Sequence, residues 1–154
     1  MINIPNFKTL DIKHIVCDYN GTIAKDGILL DEVKELFKEL SQKYTLHVIT
    51  ADTFGSVHSQ LDSFDVKVKV LSSSDHTEEK AEYIRELGED ICVSVGNGNN
   101  DKAMLSLSSV GVVVLGDEGC AKDALLSGDV VCKNIVDALS LFLNTKRLVA
   151  TLRK

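Results

Sequence analysis

The sequence predicts a three-layer, doubly wound α/β domain: a parallel β-sheet with helices on both faces. Three observations predict it. Short runs rich in β-branched residues alternate with stretches whose apolar residues fall at helical spacing. The runs are apolar throughout, as strands buried on both faces are. Polar and glycine residues cluster just after several runs, at the strand ends where ligands of such sheets bind.

The elements follow in order. Residues 12–19 form the first strand, and 31–42 a helix with Val33, Leu36, Phe37 and Leu40 on one face. Residues 45–50 form the second strand. Residues 53–64 form a helix with Val57 and Leu61 inward, capped by Asp52. Residues 66–71 form the third strand, and Thr77 is read as the cap of a helix over 78–87 that Gly88 stops. The fourth strand spans 91–95 and ends in a Gly/Asn cluster. A short helix over 101–107 turns Met104 and Leu105 inward. The fifth strand spans 110–115, followed by a helix over 120–126 and a last short strand over 129–132. Asn134 caps a helix running to Leu143, and a final helical segment begins at Asn144 or Thr145 and runs to Leu152. No interval is long enough for an inserted domain, so residues 1–154 are read as one domain with no cap domain. His14 and His47 are read as strand positions near a surface, and His76 as having no role in a site.

Composition narrows the function. The chain has 154 residues, 44% hydrophobic and 26% charged, enough to bury a core without disulfides or structural metal. Acidic residues outnumber basic ones 23 to 17, for a net charge of −6, which disfavours nucleic acid as a partner. No apolar run is long enough for a membrane span, so no membrane insertion is expected. Cys17, Cys92, Cys120 and Cys132 lack CxxC spacing and read as free thiols of a reducing compartment. No secretory signal is visible, and a cytoplasmic protein is expected.

The strand ends carry the chemistry. The first ends in Asp18-Tyr19-Asn20-Gly21-Thr22, the second in Thr50-Ala51-Asp52, and the fourth in Gly96-Asn97-Gly98-Asn99-Asn100-Asp101. Lys80 lies in the first turn of the helix after the third strand. Each segment alone is ordinary turn chemistry. In this order they resemble the four motifs of the haloacid-dehalogenase-like (HAD) superfamily of phosphohydrolases and phosphotransferases, over about residues 12–145. Within that superfamily the stretch from Gly96 to Leu105 is most similar to the phosphorylation domain of P-type ATPases. Asp26-Gly27 also resembles the small capless tetrameric phosphatases of sugar-acid phosphates, so a homo-oligomer is expected.

The resemblance implies a sheet with the third strand at one edge and the first and fourth in the middle. It implies that Asp18 attacks phosphorus to form an aspartyl-phosphate. Thr50 donates to a phosphoryl oxygen, and Lys80 neutralises charge on Asp18 and the phosphoryl group. The phosphate is cradled by Tyr19, Gly21, Thr22, Ala51 and Asn100. Mg²⁺, a hard oxygen-seeking cation, is held by Asp18, the backbone of Asn20, Asn97 and Asp101. The substrate is a phosphorylated small molecule or phosphoprotein. Two residues depart from the family pattern. Asn20 stands where phosphatases carry the general acid/base aspartate, and Asn97 where they carry a metal-binding aspartate. Slow turnover is therefore expected, or else a degenerate module that binds a phosphorylated ligand or partner without turning it over.

Overall fold

The computed structural model describes residues 1–51 and 56–154. The chain opens with a small antiparallel hairpin, β1 (Ile2–Ile4) and β2 (Lys8–Leu10). Strand β3 (His14–Asp18) follows, then a second hairpin, β4 (Ala24–Lys25) and β5 (Ile28–Leu29), and helix α1 (Asp31–Leu40). Next come β6 (Thr45–Thr50), α2 (Ser56–Leu61), β7 (Val66–Val70) and α3 (His76–Leu87). The second half is β8 (Cys92–Gly96), α4 (Lys102–Leu107), β9 (Val110–Val114), α5 (Lys122–Ser127), β10 (Val130–Cys132), α6 (Ile135–Ser140) and α7 (Thr145–Leu152).

Six strands form one sheet in the order β10-β9-β8-β3-β6-β7, all pairs parallel. The third predicted strand, β7, lies at an edge, and the first and fourth, β3 and β8, lie in the middle, as expected. Side chains of a strand alternate between faces, and the core divides accordingly. Ile15, Cys17, Val93 and Val95 pack with Val33 and Phe37 of α1 and Ala138 and Leu139 of α6. Val16, Ile49 and Cys92 face Ile84 of α3 and Met104 of α4. Asp18 shares the parity of Val16, so its carboxylate belongs to the α3 side.

The structure corrects several local expectations. Both hairpins escaped the sequence reading, because each strand has only two or three residues, too few to show a period. Asp75, not Thr77, caps α3: its carboxylate accepts the Glu78 N–H at 3.1 Å. The helix expected over 120–126 begins at Lys122. Asn134 does cap α6, through the Asp137 N–H at 2.9 Å, but α6 stops at Ser140. The Asp52 cap and the start of its helix lie outside the described residues.

His47 is not near a surface: it is buried under α3. Its Nδ1 meets the Tyr83 hydroxyl at 2.7 Å and its Nε2 meets His14 Nδ1 at 3.0 Å. Burial, with help from His14 and Lys67, pulls the His47 pKa down to about 4. The unfolded chain therefore binds a proton that the fold refuses. This contribution to stability is complete above about pH 6.5, the unfolded value. It is lost as pH falls from there through about 4. Urea denaturation at pH 7, 5.5 and 4.5 is expected to show falling stability, with a smaller fall in a His47→Gln variant. Equal slopes in the two proteins would contradict this.

Candidate active site

The site is built at the carboxyl ends of β3, β6 and β8. Asp18 is the last residue of β3. The chain then winds into a tight turn in which the N–H groups of Thr22, Ile23 and Ala24 all donate to the Tyr19 carbonyl, at 3.0–3.2 Å. Gly21 sits at φ +81°, and a Cβ there would lie 2.6 Å from Asn97 Nδ2. The turn delivers the chain into the β4–β5 hairpin, where Asp26 and Gly27 both have positive φ (52° and 81°), as a two-residue hairpin turn requires. The buried Tyr19 phenol donates to the Gly27 carbonyl at 3.0 Å and pins the hairpin over the turn.

Lys80, on α3, is the hub. Its ammonium donates to Asp18 Oδ1 at 2.9 Å, to Asp101 Oδ1 at 2.8 Å and to Asn100 Oδ1 at 3.0 Å. All three of its donors are satisfied, which an ammonium 2% exposed requires. Burial works against the charge, but Asp18 and Asp101 outweigh it and hold Lys80 above its ordinary pKa. Burial and the Asp101 carboxylate raise Asp18 to about 6, against the pull of Lys80.

Asp101, expected as a metal ligand, is engaged with protein donors. It is fully buried, and while Oδ1 takes Lys80, Oδ2 accepts the N–H groups of Asn97 (3.0 Å) and Gly98 (2.9 Å). Both oxygens face protein donors, so it anchors the lysine and the β8 loop. Gly96 makes this return possible, since a Cβ there would lie 2.6 Å from Asp101 Cγ.

Asn97 Nδ2 donates to the Gly119 carbonyl at 3.0 Å, which turns its carboxamide oxygen toward Thr22. The Thr22 hydroxyl lies 3.2 Å from Asp18 Oδ2 and 3.3 Å from Asn97 Oδ1, so these two oxygens converge on one point. The Gly21 N–H donates to the Ala24 carbonyl at 2.9 Å. The Thr22 N–H is also engaged in the turn, so both amides expected in a phosphate cradle are bonded within it. Thr50 is buried at the end of β6, one residue past the partner of Asp18, and Ala51 follows it, exposed. Asn20 is exposed beyond β3.

Sequence reasoning missed Glu79. Its carboxylate accepts the N–H of Ser73 at 2.8 Å and of Ser72 at 3.0 Å, which holds its pKa down to about 2. It thereby clamps the β7–α3 loop to the turn that carries Lys80. A glutamate one place before the motif lysine, facing a run of serines, was the available signal.

The backbone resembles solved phosphatases over nearly its whole length. The 3-deoxy-D-manno-octulosonate 8-phosphate phosphatase of Moraxella catarrhalis, solved with magnesium, phosphate and KDO, superposes with a TM-score of 0.72 over 93% of this chain and 94% of that one, at 15% identity. The fold is that of the HAD superfamily. The cobalt-bound deoxy-D-mannose-octulosonate 8-phosphate phosphatase of Haemophilus influenzae gives 0.72 over 94% of each chain at 10% identity. A HAD superfamily phosphatase of Bacteroides thetaiotaomicron gives 0.62 over 91% of this chain and 96% of that one, at 11% identity. An uncharacterized protein of Methanocaldococcus jannaschii is 49% identical over 61 residues, 40% of this chain. The match spans 66% of that relative's length. No protein-family model matches the chain.

The HAD-fold site makes opposite demands on its two carboxylates. Asp101→Asn leaves the buried Lys80 short of a charge and is expected to cost about 3 kcal/mol in urea denaturation. Asp18→Asn removes the carboxylate whose charge is disfavoured and is expected to leave stability unchanged or higher. Equal losses in the two variants would contradict the assignment of Asp101 as the anchor.

Proposed function

We propose that the protein is a Mg²⁺-dependent phosphohydrolase or phosphotransferase that works through an aspartyl-phosphate on Asp18. The observation that carries the reading is the Asp18–Lys80–Asp101 cluster at the head of a parallel sheet. A carboxylate is held there beside a buried cation, at the place where such sheets bind ligands. Asp18 Oδ2 and Asn97 Oδ1, which converge on Thr22, would hold Mg²⁺ together with the backbone carbonyl of Asn20 that the resemblance implies, an all-oxygen donor set suited to that ion. When bound, the ion offsets the repulsion between the carboxylate and the phosphoryl group.

In the first step an Asp18 oxygen forms a bond to phosphorus as the bond to the leaving oxygen breaks. Lys80 and the Thr50 hydroxyl offset the charge on the transferring group. In the second step water attacks phosphorus, the Asp18–phosphorus bond breaks, and the water proton departs to solvent. Asn20 can neither protonate the leaving oxygen nor deprotonate the water. Both proton transfers fall to solvent, and loss of general acid–base help costs roughly 10²–10⁴-fold. A slow enzyme with a long-lived phosphoenzyme results, in keeping with the likeness of the Gly96 to Leu105 stretch to P-type ATPase phosphorylation domains. With no cap domain, the site is closed by a large substrate or by a neighbouring copy of the chain. The amides at Asn20 and Asn97 favour one second reading, a module that binds a phosphorylated small molecule or phosphoprotein without transfer.

Incubation with acetyl phosphate and Mg²⁺ is expected to add the mass of one phosphoryl group, absent in Asp18→Asn. No adduct, with Mg²⁺ shown to bind, would favour the binding module. Asn20→Asp is expected to speed release of phosphate by roughly 10²-fold or more. An unchanged rate would remove the explanation for slow turnover.

A further inference from the structure

We propose that Asn20 is a self-modifying site: it loses its amide by attack of the Gly21 backbone nitrogen, and the aspartate so formed turns a slow enzyme into a faster one. This rests on the reading of Asp18 as the phosphoryl acceptor and of position 20 as the place of its proton-transfer partner. The chemistry belongs to asparagine followed by glycine. The Gly21 nitrogen gives up its proton as it bonds to the Asn20 side-chain carbonyl carbon. The amide nitrogen leaves with that proton as ammonia, and a five-membered cyclic imide remains. Water then opens the imide. Breaking the new bond gives aspartate, and breaking the original peptide bond gives isoaspartate.

Asn-Gly occurs at 20–21 and at 97–98, and the fold treats the two pairs differently. Asn97 is half-buried, and both of its reacting groups are held. Its Nδ2 donates to the Gly119 carbonyl at 3.0 Å, and the attacking nitrogen, that of Gly98, donates to Asp101 Oδ2 at 2.9 Å. Asn20 is exposed, and its carboxamide makes no hydrogen bond among the described residues. It is free to turn onto Gly21, where no Cβ shields the nitrogen. One restraint remains: the Gly21 N–H donates to the Ala24 carbonyl at 2.9 Å, so the turn has to open before the attack. That makes the reaction a slow clock. The product lies two residues beyond Asp18, on the solvent side of the turn. A carboxyl there can hand a proton to the leaving oxygen and take one from water, which the amide cannot. Aspartate has the shape of asparagine and keeps the turn of three amides on the Tyr19 carbonyl, whereas isoaspartate lengthens the backbone and breaks it.

The test ages freshly purified full chain at mildly alkaline pH and follows both Asn-Gly pairs by peptide mapping in a mass spectrometer, with fragment ions separating aspartate from isoaspartate. Asn20 is expected to lose its amide to aspartate while Asn97 keeps its own. Phosphate release from acetyl phosphate with Mg²⁺ is expected to rise in proportion to the aspartate formed, toward the rate of Asn20→Asp, roughly 10²-fold or more above that of fresh protein. An Asn20→Gln variant, whose longer side chain closes its ring far more slowly, is expected to show neither the loss nor a rise with time. An amide retained at Asn20, equal loss at the two pairs, isoaspartate without aspartate, or conversion with no rise in phosphate release would overturn the proposal. The Asp18 adduct is measured on fresh protein in parallel. An adduct with the amide of Asn20 retained overturns the modification alone. Absence of the adduct overturns the Asp18 reading, and the activation with it, whatever the mass of the Asn20 peptide.

Discussion

A cation buried among carboxylates organises this molecule. Lys80 is removed from water and keeps its charge beside the carboxylates of Asp101, its buried anchor, and Asp18, with Asn100 taking its third donor. That arrangement ties two strand ends and a helix together: Asp18 from β3, Asp101 from the loop after β8, Lys80 from α3. None of these groups could be buried alone without a cost of several kcal/mol. The cluster therefore holds the Asp18 carboxylate in place and is itself held by the fold around it.

The parallel sheet explains why these groups meet. Every strand of the six runs in one direction, so every strand end with polar residues opens on the same edge. The two central strands, β3 and β8, bring Asp18 and the Asn97 to Asp101 loop side by side. Crossover helices then deliver Lys80 from the α3 face. Glycines at 21 and 96 remove the Cβ atoms that would otherwise fill the space where Asn97 and Asp101 turn back toward the site.

Much of this was legible in the sequence, and what was not has identifiable causes. The six strands and their helices showed as buried apolar runs and helical spacing, because those patterns follow from burial on both faces. The resemblance of four short segments to the HAD motifs located Asp18, Thr50, Lys80 and the β8 loop. Two kinds of feature stayed hidden. The β1–β2 and β4–β5 hairpins are too short to carry a period. The division of labour between Asn97 and Asp101 depends on which way each side chain turns. Spacing put both in the loop, but only the hydrogen bonds show that Asp101 serves Lys80 and the turn amides while Asn97 faces Thr22. His47 was misplaced because alternation with apolar neighbours does not show what covers a strand from above, here Tyr83 of α3.

The central claim is that the Asp18 carboxylate is where a phosphoryl group attaches. A crystal structure grown with Mg²⁺, beryllium and fluoride tests it most directly, because beryllium fluoride bonds to a carboxylate in the shape of a phosphoryl group. The account expects beryllium fluoride on an Asp18 oxygen, with the metal at the oxygens of Asp18 and Asn97 and with Lys80 still bound to Asp101. An Asp18 carboxylate left bare, with Lys80 and Thr22 bonded to it as before, would contradict it.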